Sequence, residues 1–199
     1  MAQAKIISSS AGKVGDRVIT TREVMIYHLV EDALFNSKNN KLPQTTLDLT
    51  KIHDRQFIRE TTAVLIELAI FFEAESFSAN EVSKNIIQQS ISLAEKRLKK
   101  NALWLNLKVD SQELESVVRK KLNSKEFIKF KVDAANIPTS EKEIEDYYNN
   151  NRLKFENLPL ANFRENIKSY LIKQQIDKRI KDWVELLQIK YHVRNYLAE

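Results

Sequence analysis

Both glycines of this 199-residue chain, Gly12 and Gly15, lie before residue 16, and no other feature restricts its fold as tightly. Tight hairpin turns and phosphate-cradling loops need positive φ, which glycine supplies at least cost. A chain without glycine after residue 15 is therefore expected to be all-α or mainly α. A Walker loop and a dinucleotide fingerprint are both excluded. With 43% hydrophobic and 30% charged residues, the chain has enough apolar material for a real core.

The two strand-like stretches lie at opposite ends. Lys13 to Thr20 is β-branched and contains Gly15, and Tyr191-His-Val-Arg alternates large apolar with polar residues. Two lone strands in a helical chain should pair. The expectation is one small β pairing between about 14–20 and about 191–196.

Between them the start signals are regular. Thr20-Thr-Arg-Glu23, Ser78-Ala-Asn-Glu81, Asp110-Ser-Gln-Glu113 and Ser140-Glu-Lys-Glu143 have the form of capping boxes. They predict a first helix from Thr21 to Asn36 and later helices near 79–102, 110–122, 124–135 and 141–153. Leu47 to Phe77 is the most apolar helical stretch. Its Glu67 reads as a rim carboxylate reaching a Lys or Arg.

Nothing from Leu160 to Lys190 breaks a helix. Leu160, Phe163, Ile167, Tyr170 and Leu171 fall on one side, and Ile176, Ile180, Trp183, Val184 and Leu187 fall roughly opposite. A helix on one core keeps one stripe, so the halves are expected to bury against different partners.

Chemistry-bearing patterns are missing. The chain has no cysteine, and His28, His53 and His192 stand apart without ligand spacing, so no metal, no cofactor and no catalytic residue is assigned. The longest apolar run, Ala63 to Phe72, is too short to cross a bilayer. No signal peptide opens the sequence, although Ala2-Gln3-Ala4 has the small-x-small form that precedes signal cleavage. The net charge of +5 is distributed among acids, which suggests a solvated mixed surface and makes nucleic acid the weaker alternative. That alternative would use Lys96-Arg-Leu-Lys-Lys100 and Arg119-Lys-Lys121.

Val14-Gly-Asp-Arg-Val-Ile-Thr-Thr-Arg-Glu-Val resembles the opening of the SurA, PpiD and PrsA group of extracytoplasmic chaperones, a short strand followed by a helix starting at Thr or Ser. Leu65-Ile-Glu-Leu-Ala-Ile-Phe-Phe-Glu-Ala is similar to their second helix. Pro138 to Phe155 resembles the segment leading into their parvulin isomerase domain, and Phe163 to Val193 the closing helix and strand. Only Glu156-Asn-Leu-Pro159 separates Phe155 from Leu160, so the isomerase domain is absent.

The resemblance implies one helical chaperone domain over residues 1–199. Its N-terminal helices (about 13–136) would receive a C-terminal segment (about 137–199) that packs back on them. It also implies a periplasmic or extracytoplasmic location and an ATP-independent holdase for unfolded, outer-membrane-type polypeptides, without isomerase activity. The first helix carries more apolar residues than one face requires, and Leu103-Trp-Leu-Asn-Leu107 reads as an apolar lip. Met25, Leu29, Phe35, Trp104 and Leu105 are accordingly the client-binding candidates, with an affinity on the order of micromolar. A third reading makes the same surface a homodimer interface.

Overall fold

Gly15 adopts a φ of +57°, letting Val14 and Arg17 face each other across a two-residue turn. Strand β1 (Ser10–Val14) and strand β2 (Arg17–Thr20) thus form an antiparallel hairpin. The computed structural model describes residues 8–36, 51–77, 82–135, 138–156 and 158–199. Among these, seven α-helices and a three-stranded antiparallel sheet make the fold mainly α.

The ends of the chain do meet, but in a different register from that expected. Strand β3 (Arg194–Asn195) pairs with β1 through Gly12↔Asn195 and Lys13↔Arg194, giving the order β2-β1-β3. The stretch 14–20 is folded on itself by the Gly15 turn and supplies β2, on the far side of β1. A bulge between Ser10 and Gly12 interrupts the hairpin register, and the Ala11 carbonyl between them accepts a hydrogen bond from the Tyr196 amide.

The chain divides into two compact units. The first comprises Met1–Ile128 with Leu186–Glu199. Helix α1 (Thr21–Glu31) begins at a complete capping box between Thr20 and Glu23 and continues into a π-helical turn, Asp32–Asn36. Helix α2 (Arg55–Ser76) is capped by Asp54 and packs on α1, β1 and β3. Helix α3 (Lys84–Leu98) is capped by Ser83; the box expected at 78–81 lies outside the described residues. Helix α4 (Ala102–Leu107) starts at Asn101, whose side chain accepts from the Trp104 amide.

Helix α5 (Ser111–Asp133) is one continuous helix where two were expected. Asn123 and Ser124, at the expected break, are residues whose side chains compete for backbone bonds and favour helix starts. Here they bond elsewhere: the Asn123 Oδ1 accepts from the Val82 amide, and the Ser124 hydroxyl donates to the Glu67 carbonyl.

The second unit is Lys129–Glu185. Helix α6 (Glu141–Asn150) begins at a complete Ser140/Glu143 capping box. Two 3₁₀ turns, Arg152–Phe155 and Leu160–Asn162, lead to helix α7 (Arg164–Lys190), about 40 Å long. Ile144, Tyr148 and Ile167 form its buried cluster, with Tyr147, Phe155, Leu160, Phe163 and Leu171 packed around them. Tyr148 and Phe155 stack at 5.3 Å, and the Tyr148 hydroxyl donates to the Leu158 carbonyl. Lys131 lies over the Trp183 ring.

Helix α7 buries Ile167 in this cluster, while Leu187, two residues past the boundary, is buried in the first unit. Its two ends thus serve different cores, as the change of stripe predicts.

With no glycine after residue 15, the sharp turns fall to other residues. Lys108, Glu156 and His192 adopt left-handed φ of 49°, 48° and 47°. Each carries a backbone cost of about 1–2 kcal/mol that a glycine would avoid.

Candidate functional site

The five client-binding candidates separate into two groups. Met25 and Leu29 are only 3% and 5% exposed and belong to the core. The breadth of apolar surface on α1, which suggested a surplus for clients, arises because α1 is covered by β1, β2, α2 and α4 together. Phe35, at 39% exposure, and Leu105, at 59%, are on the surface, and Trp104 is half-buried beside Leu105.

These surface residues do not form one patch. The Arg22 guanidinium, at the start of α1, donates to the Leu107 carbonyl and fastens α4 there. Phe35 lies past the other end of α1, about 20 Å along the helix. Its ring is covered by the Lys125 ammonium at 3.4 Å from the centroid. Other large apolar side chains stand exposed in the same unit. Leu186 and Ile189, at 63% and 72%, are three residues apart and so share a face of α7.

Beneath the surface, α1, α2 and α5 are joined by a charge network. Lys121 is 2% exposed, its Nζ lying 2.8 Å from Glu67 Oε2 and 3.1 Å from Glu31 Oε2. Glu67 was expected to reach a Lys or Arg, and Lys121 is that partner. Burial pushes the Glu67 carboxyl above the usual range, with Lys121 opposing. Burial also pushes Glu31 upward, but Lys121 and Lys125 outweigh it and hold Glu31 below that range.

His28 lies alongside, its Nδ1 2.9 Å from Glu60 and its Nε2 3.4 Å from Asp32. Burial pulls its pKa down, yet the hydrogen bond to Glu60 and the charges of Glu60 and Asp32 prevail and raise it. Both nitrogens face carboxylates, so the ring ties α1 to Glu60 of α2 and, when protonated, is favoured by both acids.

The run Arg119-Lys-Lys121 does not form a basic stripe. At 100° per residue the three side chains diverge: Arg119 is exposed and pairs with Glu115, Lys120 is half-buried, and Lys121 is buried. In the other run, Arg97 donates to the Ala33 carbonyl and so secures the turn after α1.

A cavity of about 180 Å³ opens between β2, α1 and α5, with Ile26 and Val117 as apolar lining. Its polar lining is Arg17, Glu23, Tyr27, Glu113, Ser116 and Lys120. Apart from Lys120, which belongs to the basic run 119–121, none of these stood out in the sequence as part of a site, because they come from three elements and follow no fixed spacing. Among the described residues no group of His, Asp or Glu has the arrangement of a metal site, and no helix is long and apolar enough to cross a membrane. Compared with known proteins, the chain matches no protein-family model and no curated protein sequence.

Proposed function

We propose that this protein is an ATP-independent holdase of the SurA, PpiD and PrsA type, reduced to the chaperone module and lacking prolyl isomerase activity. The observation that carries the reading is the joining of the chain's two ends. β3 is hydrogen-bonded to β1, and Lys190 and Tyr191 at the end of α7 both reach the buried Glu73 of α2. That is the architecture the sequence resemblance implies for a module whose closing helix returns to its opening strand. One 3₁₀ turn, Leu160–Asn162, lies between Phe155 and α7, a short connection that supports a module without the isomerase domain which the resembled chaperones carry at this point.

Client contact falls to apolar side chains left at the surface among charges: Phe35, Trp104 and Leu105, together with Leu186 and Ile189. Each is a small contact, so binding is weak and distributed. Outer-membrane-type clients and an extracytoplasmic location follow from the same resemblance.

A stoichiometric amount of this protein should suppress aggregation of a chemically denatured model protein diluted into buffer without ATP. Replacing Leu186 and Ile189 with Lys should reduce that suppression while leaving the helical circular-dichroism signal intact. No suppression by the wild-type chain would overturn the proposal. If light scattering shows a tight dimer that covers Leu105 and Ile189, those side chains form an interface between copies and not a client surface.

A further inference from the structure

Residues 96–108, from Lys96 through Trp104 to Lys108, hold five of the chain's 32 basic residues and none of its 27 acidic ones. The excess in this stretch equals the net charge of the whole chain, +5, so everything outside it sums to zero. In the fold it is the last turn of α3, a tight corner and α4. Arg97 is used internally, donating to the Ala33 carbonyl. Lys96, Lys99, Lys100 and Lys108 are exposed and have no carboxylate at ion-pair distance among the described residues, not even Glu95, one helical turn before Lys99. Asp110, just beyond, caps α5 at the Glu113 amide, and Glu113 pairs with Arg22. The basic residues of α5 differ, since Arg119, Lys121 and Lys125 are each matched by a Glu.

Helix α4 is about 9 Å long, with Lys99 and Lys100 just before it and Lys108 just after it. Leu107 is buried, so Leu105, two residues earlier, lies on nearly the opposite side of the helix, where it is 59% exposed. Leu103 and Trp104 are half-buried beside it. The corner thus presents one apolar knob with an indole at its shoulder, and unpaired ammonium groups at both ends.

We propose that this corner docks on an anionic lipid surface, with Leu105 entering the headgroup layer, Trp104 at its boundary and the four lysines on lipid phosphates. Tryptophan and lysine are the side chains that a membrane–water boundary favours, and each lysine near an anionic leaflet adds attraction. Four separate, flexible ammonium groups with no free arginine fork among them suit a diffuse negative field better than one fixed carboxylate. Duplex nucleic acid supplies such a field but no apolar layer for Leu105; an anionic bilayer supplies both. The contact is peripheral and needs no membrane-spanning helix. It concerns where the protein is held and does not rest on the holdase reading, so the aggregation assay and the test below can fail separately.

Sedimentation with vesicles tests the surface, comparing an equimolar mixture of phosphatidylglycerol and phosphatidylcholine with phosphatidylcholine alone at physiological ionic strength. The wild-type chain should sediment with the anionic vesicles and not with the neutral ones. Replacing Lys99, Lys100 and Lys108 together by Gln should weaken binding roughly a hundredfold, about fivefold for each charge. Leu105→Asn, which leaves the charge unchanged, should weaken it about fivefold. In a Trp183→Phe chain Trp104 is the remaining tryptophan, and its emission should shift to the blue when anionic vesicles are added. Helical circular dichroism checks that each variant is folded. Duplex DNA and polyglutamate are the competing probes: binding to either that exceeds vesicle binding and ignores Leu105→Asn assigns the lysines to that polymer and overturns the proposal. Absence of vesicle binding, equal sedimentation with both vesicle types, or binding unchanged in the triple Gln variant also overturns it.

Discussion

His28 faces Glu60 and Asp32 across α1 and α2, and its raised pKa links stability to pH. A group more basic in the folded state than in the unfolded state stabilises the fold fully below its unfolded pKa, near 6.5. That contribution is lost as pH rises through the higher folded value. Urea denaturation at pH 6 and pH 9 should therefore show the advantage of wild type over His28→Gln shrinking as pH increases. An advantage that grows with pH would mean that the carboxylates do not hold the imidazolium.

Lys121 gives a sharper expectation. Removing one partner of a buried ion pair strands the other, so Lys121→Met should cost about 3–5 kcal/mol. Adding Glu67→Leu should recover a large part of that loss, because the stranded carboxylate is gone; a double variant no more stable than the single would contradict this. Glu67 with a basic partner was legible in the sequence, but the identity of Lys121 was not, because 54 positions separate them and only the packing of α2 on α5 joins them.

Among the elements, the sheet depends on the lack of a side chain at Gly12. A Cβ on Gly12 would sit 2.5 Å from the Arg194 carbonyl oxygen and 2.8 Å from Leu65 Cδ1, so β3 and α2 approach β1 through the space a side chain would fill. Gly12→Ala should destabilise the fold by about 1–3 kcal/mol and reduce hydrogen-exchange protection of the Tyr196 amide, which is bonded to Ala11. Unchanged protection would show that the strands can part without loss.

The helices were legible wherever local chemistry decides them. The capping boxes at Thr20 and Ser140 formed as their spacing dictates. Asp110 formed half of one: it accepts from the Glu113 amide, while the Glu113 carboxylate goes to Arg22. Illegible from sequence were the uses of polar residues in tertiary bonds, as with Asn123 and Ser124 in α5, and the burial of Met25 and Leu29. Apolar residues on several faces of a helix look alike in sequence whether they are exposed or enclosed.

For the molecule as a whole, the two-ended stripe of α7 was readable because a face change in a long helix can only mean two burial sites, and Ile167 and Leu187 occupy them. The cavity was not readable, since Arg17, Tyr27 and Lys120 are brought together only by the folding of β2, α1 and α5. The C-terminal latch should be energetically real. The Asn195 side chain donates to the Ile58 carbonyl and the Thr62 hydroxyl, and Tyr196 donates to Ala11. A chain ending at Val193 should lose about 2–4 kcal/mol, counting each net hydrogen bond near 1 kcal/mol, measurable by chemical denaturation; an unaltered midpoint would count against the latch.

The placement of β3 also sets an order of events on the ribosome. The β1–β2 hairpin is made long before the strand that covers the outer edge of β1, because α1 to α7 lie between them in the chain. Until β3 is made, that edge stays open to pairing with another nascent chain. Synthesis of β3 is therefore the moment at which this hazard closes.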